Sequence, residues 1–341
     1  MKDKATSFDI AYQAGVSQST VSRALRNSPL VNEETRLKVQ AIAKKLNYKV
    51  DKNASNLRSQ HSDTIALLLF EDPTGDDSDI NPFFLSMLGS ITKACASKGY
   101  DLLVSFQQGS TDWHADFEDS NKADGLILLG YGDYVYHEEK LVKLIEQGTH
   151  FVRWGAEVKD LPIVSVGSDN FSGGKTITQH VIKQGKKNIA FLGSASSHAP
   201  EFYERYKGYK EALQEHDLHA KAAIQFNALY TEESGYEAAI KLIKSNEKFD
   251  AIFAACDLIA IGAMRALKEH NINVPEQVSV VGFDDIAIAS LTFPPLTTVK
   301  QDTKLAGELL VDSLLDLING VEVLTKSILP KLVLRQSCGS L

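Results

Sequence analysis

A chain of 341 residues is too long for one core, and its 43% hydrophobic content is that of an ordinary globular protein, so a small unit joined to a larger body is expected. No apolar run approaches a membrane span, Met1-Lys2-Asp3-Lys4 leads into a capped helix rather than a secretory signal, and Cys95, Cys256 and Cys338 are scattered without metal spacing, which together exclude a secreted disulfide scaffold and point to a cytoplasmic protein with reduced thiols. Residues 1–61 hold 11 Lys and Arg against 5 Asp and Glu, a net of +6 in a chain whose formal charge is −8, so the body carries −14 and only the head suits a polyphosphate partner.

The first elements lie between Thr6 and Asn32. Phe8, Ile10, Ala11 and Ala14 are spaced for one face of a short helix, Thr6 with Asp9 makes a capping box, and Gly15 ends the helix. Ser17 is placed to cap a second helix, Gln18–Leu25, in which Val21, Ala24 and Leu25 pack inward while Gln18, Ser19, Ser22 and Arg23 face outward. Two short helices joined by a glycine turn predict a helix-turn-helix. Its open face suits a major groove, because Gln pairs bidentately with adenine, Arg with guanine, and hydroxyls such as those of Ser19 and Thr20 bond bases or phosphates. The same pattern also describes a helical hairpin whose polar face meets water, and the basic charge of the head favours the DNA reading. Asn32 caps a third helix ending near Leu46, with Leu37, Ile42 and Leu46 closing the small core.

The run D-I-A-Y-Q-A-G-V-S-Q-S-T-V-S-R-A-L-R-N over residues 9–27, followed by V-N-E-E-T-R-L-K-V-Q-A-I-A-K-K-L-N-Y over 31–48, resembles the headpiece of the lactose-repressor and purine-repressor family of transcriptional regulators. The resemblance implies a headpiece over 1–49, a hinge over 50–61 and an effector-binding and dimerisation core over 62–341. Asn53-Ala54-Ser55-Asn56-Leu57 is similar to the family's hinge helix, which folds when a dimer meets its operator and presses a leucine, here Leu57, into the minor groove. A segment this short and polar is not stably helical alone, and an apolar wedge between base steps is a recognised way to bend DNA. The expected DNA-binding set is therefore Thr6, Ser17, Gln18, Ser19, Thr20, Ser22, Arg23, Asn32, Ala54 and Leu57.

Beyond residue 62 short apolar runs alternate with amphipathic stretches. Runs at 65–70, 102–106, 125–129, 151–154, 163–166, 189–192, 251–254 and 278–281 predict buried parallel strands, and 85–98, 138–147, 173–184, 204–215, 232–244 and 258–269 predict helices. This alternation means a doubly wound α/β architecture long enough for two lobes, with an irregular element expected over the polar stretch 107–123. In such lobes ligands bind beyond the carboxyl ends of strands. Phe83 and Phe84 follow the first strand, Trp154 ends another, Arg205 and Tyr230 stand near helix starts, and Asp257 follows the run 251–256. Aromatic faces with an arginine and an aspartate suit a sugar, whose C–H faces stack on rings and whose hydroxyls need donors and acceptors.

The family resemblance extends over the whole chain and implies a two-lobed core of the periplasmic-binding-protein type, with one lobe about 62–161 plus 294–325 and the other about 162–293 plus 326–341. Glu204-Arg205-Tyr206-Lys207-Gly208-Tyr209 resembles the segment whose arginine contacts the effector, and the stretch from Asp257 to Ala263 the motif whose leading aspartate binds effector hydroxyls. Tyr230 falls where the family places a stacking aromatic; the stretches V-V-G-F-D-D at 280–285 and P-P-L-T-T-V-K-Q-D at 294–302 are also family-like, and Gln301 reaches toward the cleft. The expected effector set is Phe83, Phe84, Trp154, Arg205, Tyr230, Asp257 and Gln301. Two features depart from the pattern: Arg153 and Trp154 stand where many relatives end a strand on aspartate, and no leucine heptad follows Arg335, so a homodimer on an approximately palindromic operator is expected.

An enzyme is poorly supported. Gly173-Gly174-Lys175-Thr176 lacks the earlier glycine of a phosphate-binding loop, Gly130-Tyr131-Gly132 lacks the third glycine of a dinucleotide fingerprint, and the nine histidines show no metal spacing, so no catalytic residue, cofactor or metal is expected. The sequence predicts a repressor of sugar-utilisation genes controlled by a neutral sugar or oligosaccharide between the lobes. The alternatives are a two-lobed sugar-binding protein without DNA function, and a corepressor-type regulator sensing a purine or sugar phosphate, for which Arg153 and Arg205 would form the anion-binding pair.

Overall fold

The computed structural model describes residues 5–48, 61–70, 80–106, 112–130, 138–157 and 161–339. The chain divides into two compact units between Ser62 and Asp63. In the first, α1 (Ser7–Ala14), α2 (Gln18–Leu25) and α3 (Glu33–Lys45) surround a core of Ile10, Ala11, Ala14, Val21, Ala24, Val31, Val39 and Ala43. Each helix starts on a side-chain cap: the Asp9 amide donates to Thr6 Oγ1 while the Thr6 amide donates to Asp9 Oδ2 at 2.7 Å, the Thr20 amide donates to Ser17 Oγ at 3.2 Å, and the Thr35 amide to Asn32 Oδ1 at 2.8 Å. Gly15 closes α1 at φ +69°, a left-handed conformation that glycine adopts without penalty.

Two expected core residues lie outside that core. Phe8 is 68% exposed and Leu37 57% exposed. Each stands two residues before a buried β-branched anchor, Ile10 and Val39, and two residues is a turn of about 200° around a helix, which carries the side chain to the opposite face. Ile42 and Leu46 pack against the core from its rim, as expected.

The second unit begins with β1 (Thr64–Leu69), α4 (Pro82–Lys98), β2 (Asp101–Phe106), β3 (Gly125–Leu129), α5 (Glu138–Glu146), β4 (Phe151–Trp154) and β5 (Ser165–Ser168). It continues through α6 (Asn170–Lys183), β6 (Ile189–Leu192), α7 (Pro200–Gln214), β7 (Gln225–Phe226), α8 (Glu232–Lys244), β8 (Ala251–Ala254), α9 (Asp257–Glu269) and β9 (Ser279–Val281). The closing elements are β10 (Thr298–Lys300), α10 (Thr303–Ile318), β11 (Lys326–Ile328) and β12 (Lys331–Val333). Six strands form one parallel sheet in the order β11-β5-β4-β3-β1-β2, four form another in the order β7-β6-β8-β9, and β10 pairs antiparallel with β12. The two parallel sheets are the two expected doubly wound lobes.

The lobe boundary lies later than expected. Ser165–Ser168 pairs with β4 and with Lys326–Ile328, so β5 and β11 both belong to the first sheet and the chain leaves that lobe only at Asp169. The apolar pattern of a strand marks that it is buried but not which sheet it joins. The polar stretch before β3 forms a short π-helical turn at Ala115–Asp119, an irregular element as expected. Helix α10 was not foreseen, since it follows β10, a strand too short to register as an apolar run. It buries Ala306, Gly307, Leu310, Val311 and Leu314 and packs on α4 so closely that a Cβ on Gly307 would lie 2.8 Å from the Ser90 carbonyl carbon.

Candidate functional site

The ends of β5, β8 and β9 bring together four polar side chains from separate parts of the second unit. Arg205, on α7, donates from Nε to Asn170 Oδ1 at 2.8 Å and from Nη1 to the Ala255 carbonyl at 2.5 Å, and Nη1 lies 3.4 Å from Asp284 Oδ1. Gln301 donates from Nε2 to the same Asp284 oxygen at 2.6 Å, and Asn170 donates to the Ser168 carbonyl at 3.1 Å. The guanidinium carbon sits 3.8 Å from the centre of the Phe283 ring and 5.3 Å from that of Phe202, so its planar faces meet aromatic surface while its edges meet oxygen. All four polar residues are buried. Asp284 holds a φ of +117°, a conformation that costs a non-glycine residue about 1–3 kcal/mol and is kept where the surroundings impose it.

Asp257 does not stand with this set in the way expected. It is fully buried; Oδ1 accepts from the Thr298 hydroxyl at 2.5 Å and Oδ2 accepts from the Ile286 amide at 2.9 Å. Burial, and next the nearby Asp284 carboxylate, raise its carboxyl well above the usual range. The acid beside Arg205 and Gln301 is Asp284, and neither it nor Asn170 stands in the expected effector set. The rule that ligands meet the ends of strands is the signal that points to both, since Asn170 follows Ser165–Ser168 and Asp284 follows Ser279–Val281. Cys256 lies among the same groups, and burial pushes its thiol up.

The expected aromatics fall into two groups. Phe83 lies 5.3 Å from Phe84 and 5.9 Å from Trp154 between ring centres, and Tyr230 lies 4.7 Å from Phe202. Asn81 joins the groups, its Oδ1 accepting from the Phe83 amide at 2.9 Å and its Nδ2 reaching the Tyr230 carbonyl at 3.5 Å, so the N-cap of α4 in one lobe touches the loop before α8 in the other. Arg153 belongs to neither group. Along β4, Val152 and Trp154 enter one core while Phe151 enters the core on the other side of the sheet. Alternation puts buried Arg153 on the Phe151 side of the sheet, the face opposite Trp154.

In the first unit α2 presents Ser19 and Arg23 as exposed residues. Gln18 is partly buried and donates from Nε2 to Ser7 Oγ at 2.8 Å, tying α2 to α1, and Ser22 Oγ accepts from Arg26 Nη2 at 3.0 Å. Ser17 Oγ contacts Thr20 Oγ1 at 2.9 Å as well as capping the helix, and Thr6 and Asn32 are exposed caps of the neighbouring helices. Ala54 and Leu57 lie outside the described residues. Among the described residues no group of three or more His, Cys, Asp or Glu side chains is arranged to hold a metal ion, and no helix is long and apolar enough to cross a membrane.

Residues 8–51 match the family model for bacterial regulatory proteins of the lacI family, and residues 178–338 match that for a periplasmic binding protein-like domain. The chain is 31% identical over 326 residues to the probable HTH-type transcriptional repressor ExuR of Bacillus subtilis (strain 168), an alignment covering 94% of each protein. Among solved structures, it superposes on a complex of the transcriptional regulator CelR with cellobiose with a TM-score of 0.72 at 28% identity, covering 98% of this chain and 99% of that one. It superposes on the lac repressor dimer bound to operator and the anti-inducer ONPF with a TM-score of 0.83 at 25% identity, again covering 98% and 99%.

Proposed function

The chain belongs to the lacI family of bacterial regulatory proteins, and from that premise we propose that it is a cytoplasmic homodimer controlling sugar-utilisation genes in answer to a neutral sugar held between its two lobes. It is a DNA-binding transcriptional regulator and not an enzyme. The observation that carries the sugar reading is the buried set of Arg205, Asn170, Asp284 and Gln301, which offers donors and acceptors at the strand ends where Asn81 brings the Phe83 and Tyr230 segments together. Hydroxyls need both kinds of partner, and sugar C–H faces need flat apolar ones. The arginine is already balanced by Asp284, and Arg153 lies on the other face of its sheet, so among the described residues the site carries no cationic surplus for a phosphate. The complex of the similar regulator CelR with cellobiose supports the same class of ligand.

DNA contact falls to the exposed side of α2, with Arg23 and Ser19 turned outward and Gln18 released from Ser7 when a base is offered, and to Ala54 and Leu57 in the hinge. Two copies, as in the lac repressor dimer on its operator, place two headpieces on an approximately palindromic site. Sugar bound between the lobes changes their relative angle and so the fit of the paired headpieces, an effect limited by the difference in sugar affinity between the two states. The test is a thermal-shift screen of neutral mono- and disaccharides, sugar phosphates and nucleobases, followed by calorimetry on the compounds that stabilise the chain. A neutral sugar is expected to bind most tightly; a phosphorylated sugar or nucleobase bound at least about tenfold more tightly, a difference of about 1.4 kcal/mol, overturns the reading.

A further inference from the structure

We propose that Asp257 is a positioning residue which clamps the strand leading from the second lobe to the first, and that it acts on the effector site only through that strand. Its carboxylate reaches in two directions. One oxygen takes the Ile286 amide in the segment after β9, and the other takes the Thr298 hydroxyl at the start of β10. With full burial and a protein donor on each oxygen, the carboxylate is committed to the fold. The fit is close: a Cβ on Gly282 would stand 2.3 Å from Oδ1, so the backbone after β9 lies directly against the acid.

The strand so held is the one on which the polar site depends. The Gly282 amide donates to the Thr297 carbonyl at 3.0 Å and the Asp284 amide to the Val299 carbonyl at 2.7 Å, so the segment carrying Asp284 runs in register with β10. Gln301 follows β10 at once and returns its Nε2 to Asp284 at 2.6 Å. After Gln301 the chain enters α10, which packs on α4 of the first lobe. A shift of Thr298 therefore displaces Asp284 and Gln301 together and moves the start of the crossover helix. The clamp places one fixed point, the N-terminus of α9, behind both the polar site and the path between lobes. It deepens the sugar-binding reading and rests on it only in naming Asp284 and Gln301 as site residues.

Amide hydrogen exchange of the full-length chain, measured without any sugar, tests the clamp independently of effector identity. Thr298→Val keeps the shape of the side chain and removes the hydroxyl. Loss of a hydrogen bond to a carboxylate is expected to raise exchange across 284–301, the Ile286 amide included, by about tenfold or more. Peptides from β8 and α8 should exchange as in the parent chain, and Thr298→Ser, which restores the hydroxyl, should return 284–301 to the parent rate. Parent-like exchange of 284–301 in Thr298→Val overturns the proposal. So does an equal rise in β8, which would mark general destabilisation, or a failure of Thr298→Ser to restore protection. Failure of every sugar to bind would count against the sugar reading and leave this result standing.

Discussion

Nη1 of Arg205 and Oδ1 of Asp284 lie 3.4 Å apart, with side-chain exposures of 1% and 2%. A charged pair held this far from water is costly to leave half made, and Asp284 keeps an unfavourable backbone conformation while making it. In the proposed sugar site this pair is what the hydroxyls meet, so its two members should fail in the same way.

Arg205→Ala leaves the Asp284 carboxylate buried without its cation, and Asp284→Asn leaves the guanidinium without its anion. Removal of one partner of a buried pair costs about 3–5 kcal/mol. Each variant is expected to lower the urea midpoint of unfolding and to weaken sugar binding. Their combination should cost clearly less than the sum of the two, since each single change already breaks the same interaction. Additive losses would show that the two residues act separately.

Arg23→Ala should weaken binding to an operator selected in vitro by the full-length chain by about 1–3 kcal/mol at matched salt, with relaxed specificity at one base position in each half-site. A phosphate contact would instead weaken all sequences alike and reduce the salt dependence. Anisotropy titrations on the selected duplex and on single-base variants distinguish the two outcomes.

The Thr6 amide and hydroxyl hold the Asp9 carboxyl below its ordinary value of 3.8. Since the folded value lies below the unfolded one, the stability this capping box lends to α1 is complete above pH 3.8 and is lost as pH falls through the depressed folded value. The Thr6 amide proton shift should titrate with a midpoint below 3.8, and in Thr6→Ala the Asp9 midpoint should rise toward that of a free aspartate. An unshifted Asp9 midpoint in the parent chain would remove the capping box from α1.

Burial pushes the Cys95 thiol up to about 11, and raises that of Cys256 as well. Only the thiolate is nucleophilic, so at pH 8 Cys95 in the native chain should be alkylated by iodoacetamide about a hundredfold more slowly than after unfolding. Peptide mapping reads the result, and rapid native labelling at Cys95 would contradict its burial.

Much of this was legible because it depends on local pattern. The capping box of Thr6 and Asp9, the glycine stop at Gly15 and the strand of five apolar residues Gly125–Leu129 each follow from neighbours in sequence. Where sequence reasoning fell short, the deciding fact was a contact between distant residues. Phe8 and Leu37 have the composition of core residues, and only the choice of stripe by Ile10 and Val39 turns them out. Ser165–Ser168 has the look of a second-lobe strand until its pairing with Trp154 and Ile328 is seen. Asp257 and Asp284 both follow strands and both bear a carboxylate; which one meets Arg205 is settled by Thr298 and Ile286, more than 25 positions along the chain from Asp257.

The central claim is that one chain reads DNA and lets a sugar change that reading. The direct measurement is the dissociation constant of the full-length chain for its in vitro selected operator, taken by anisotropy at fixed salt with and without the neutral sugar that most stabilises the protein. The account predicts a change of about tenfold or more at saturating sugar, a coupling of about 1.4 kcal/mol, that is absent in Arg205→Ala. An operator affinity unchanged by a sugar that calorimetry shows to be bound would contradict it.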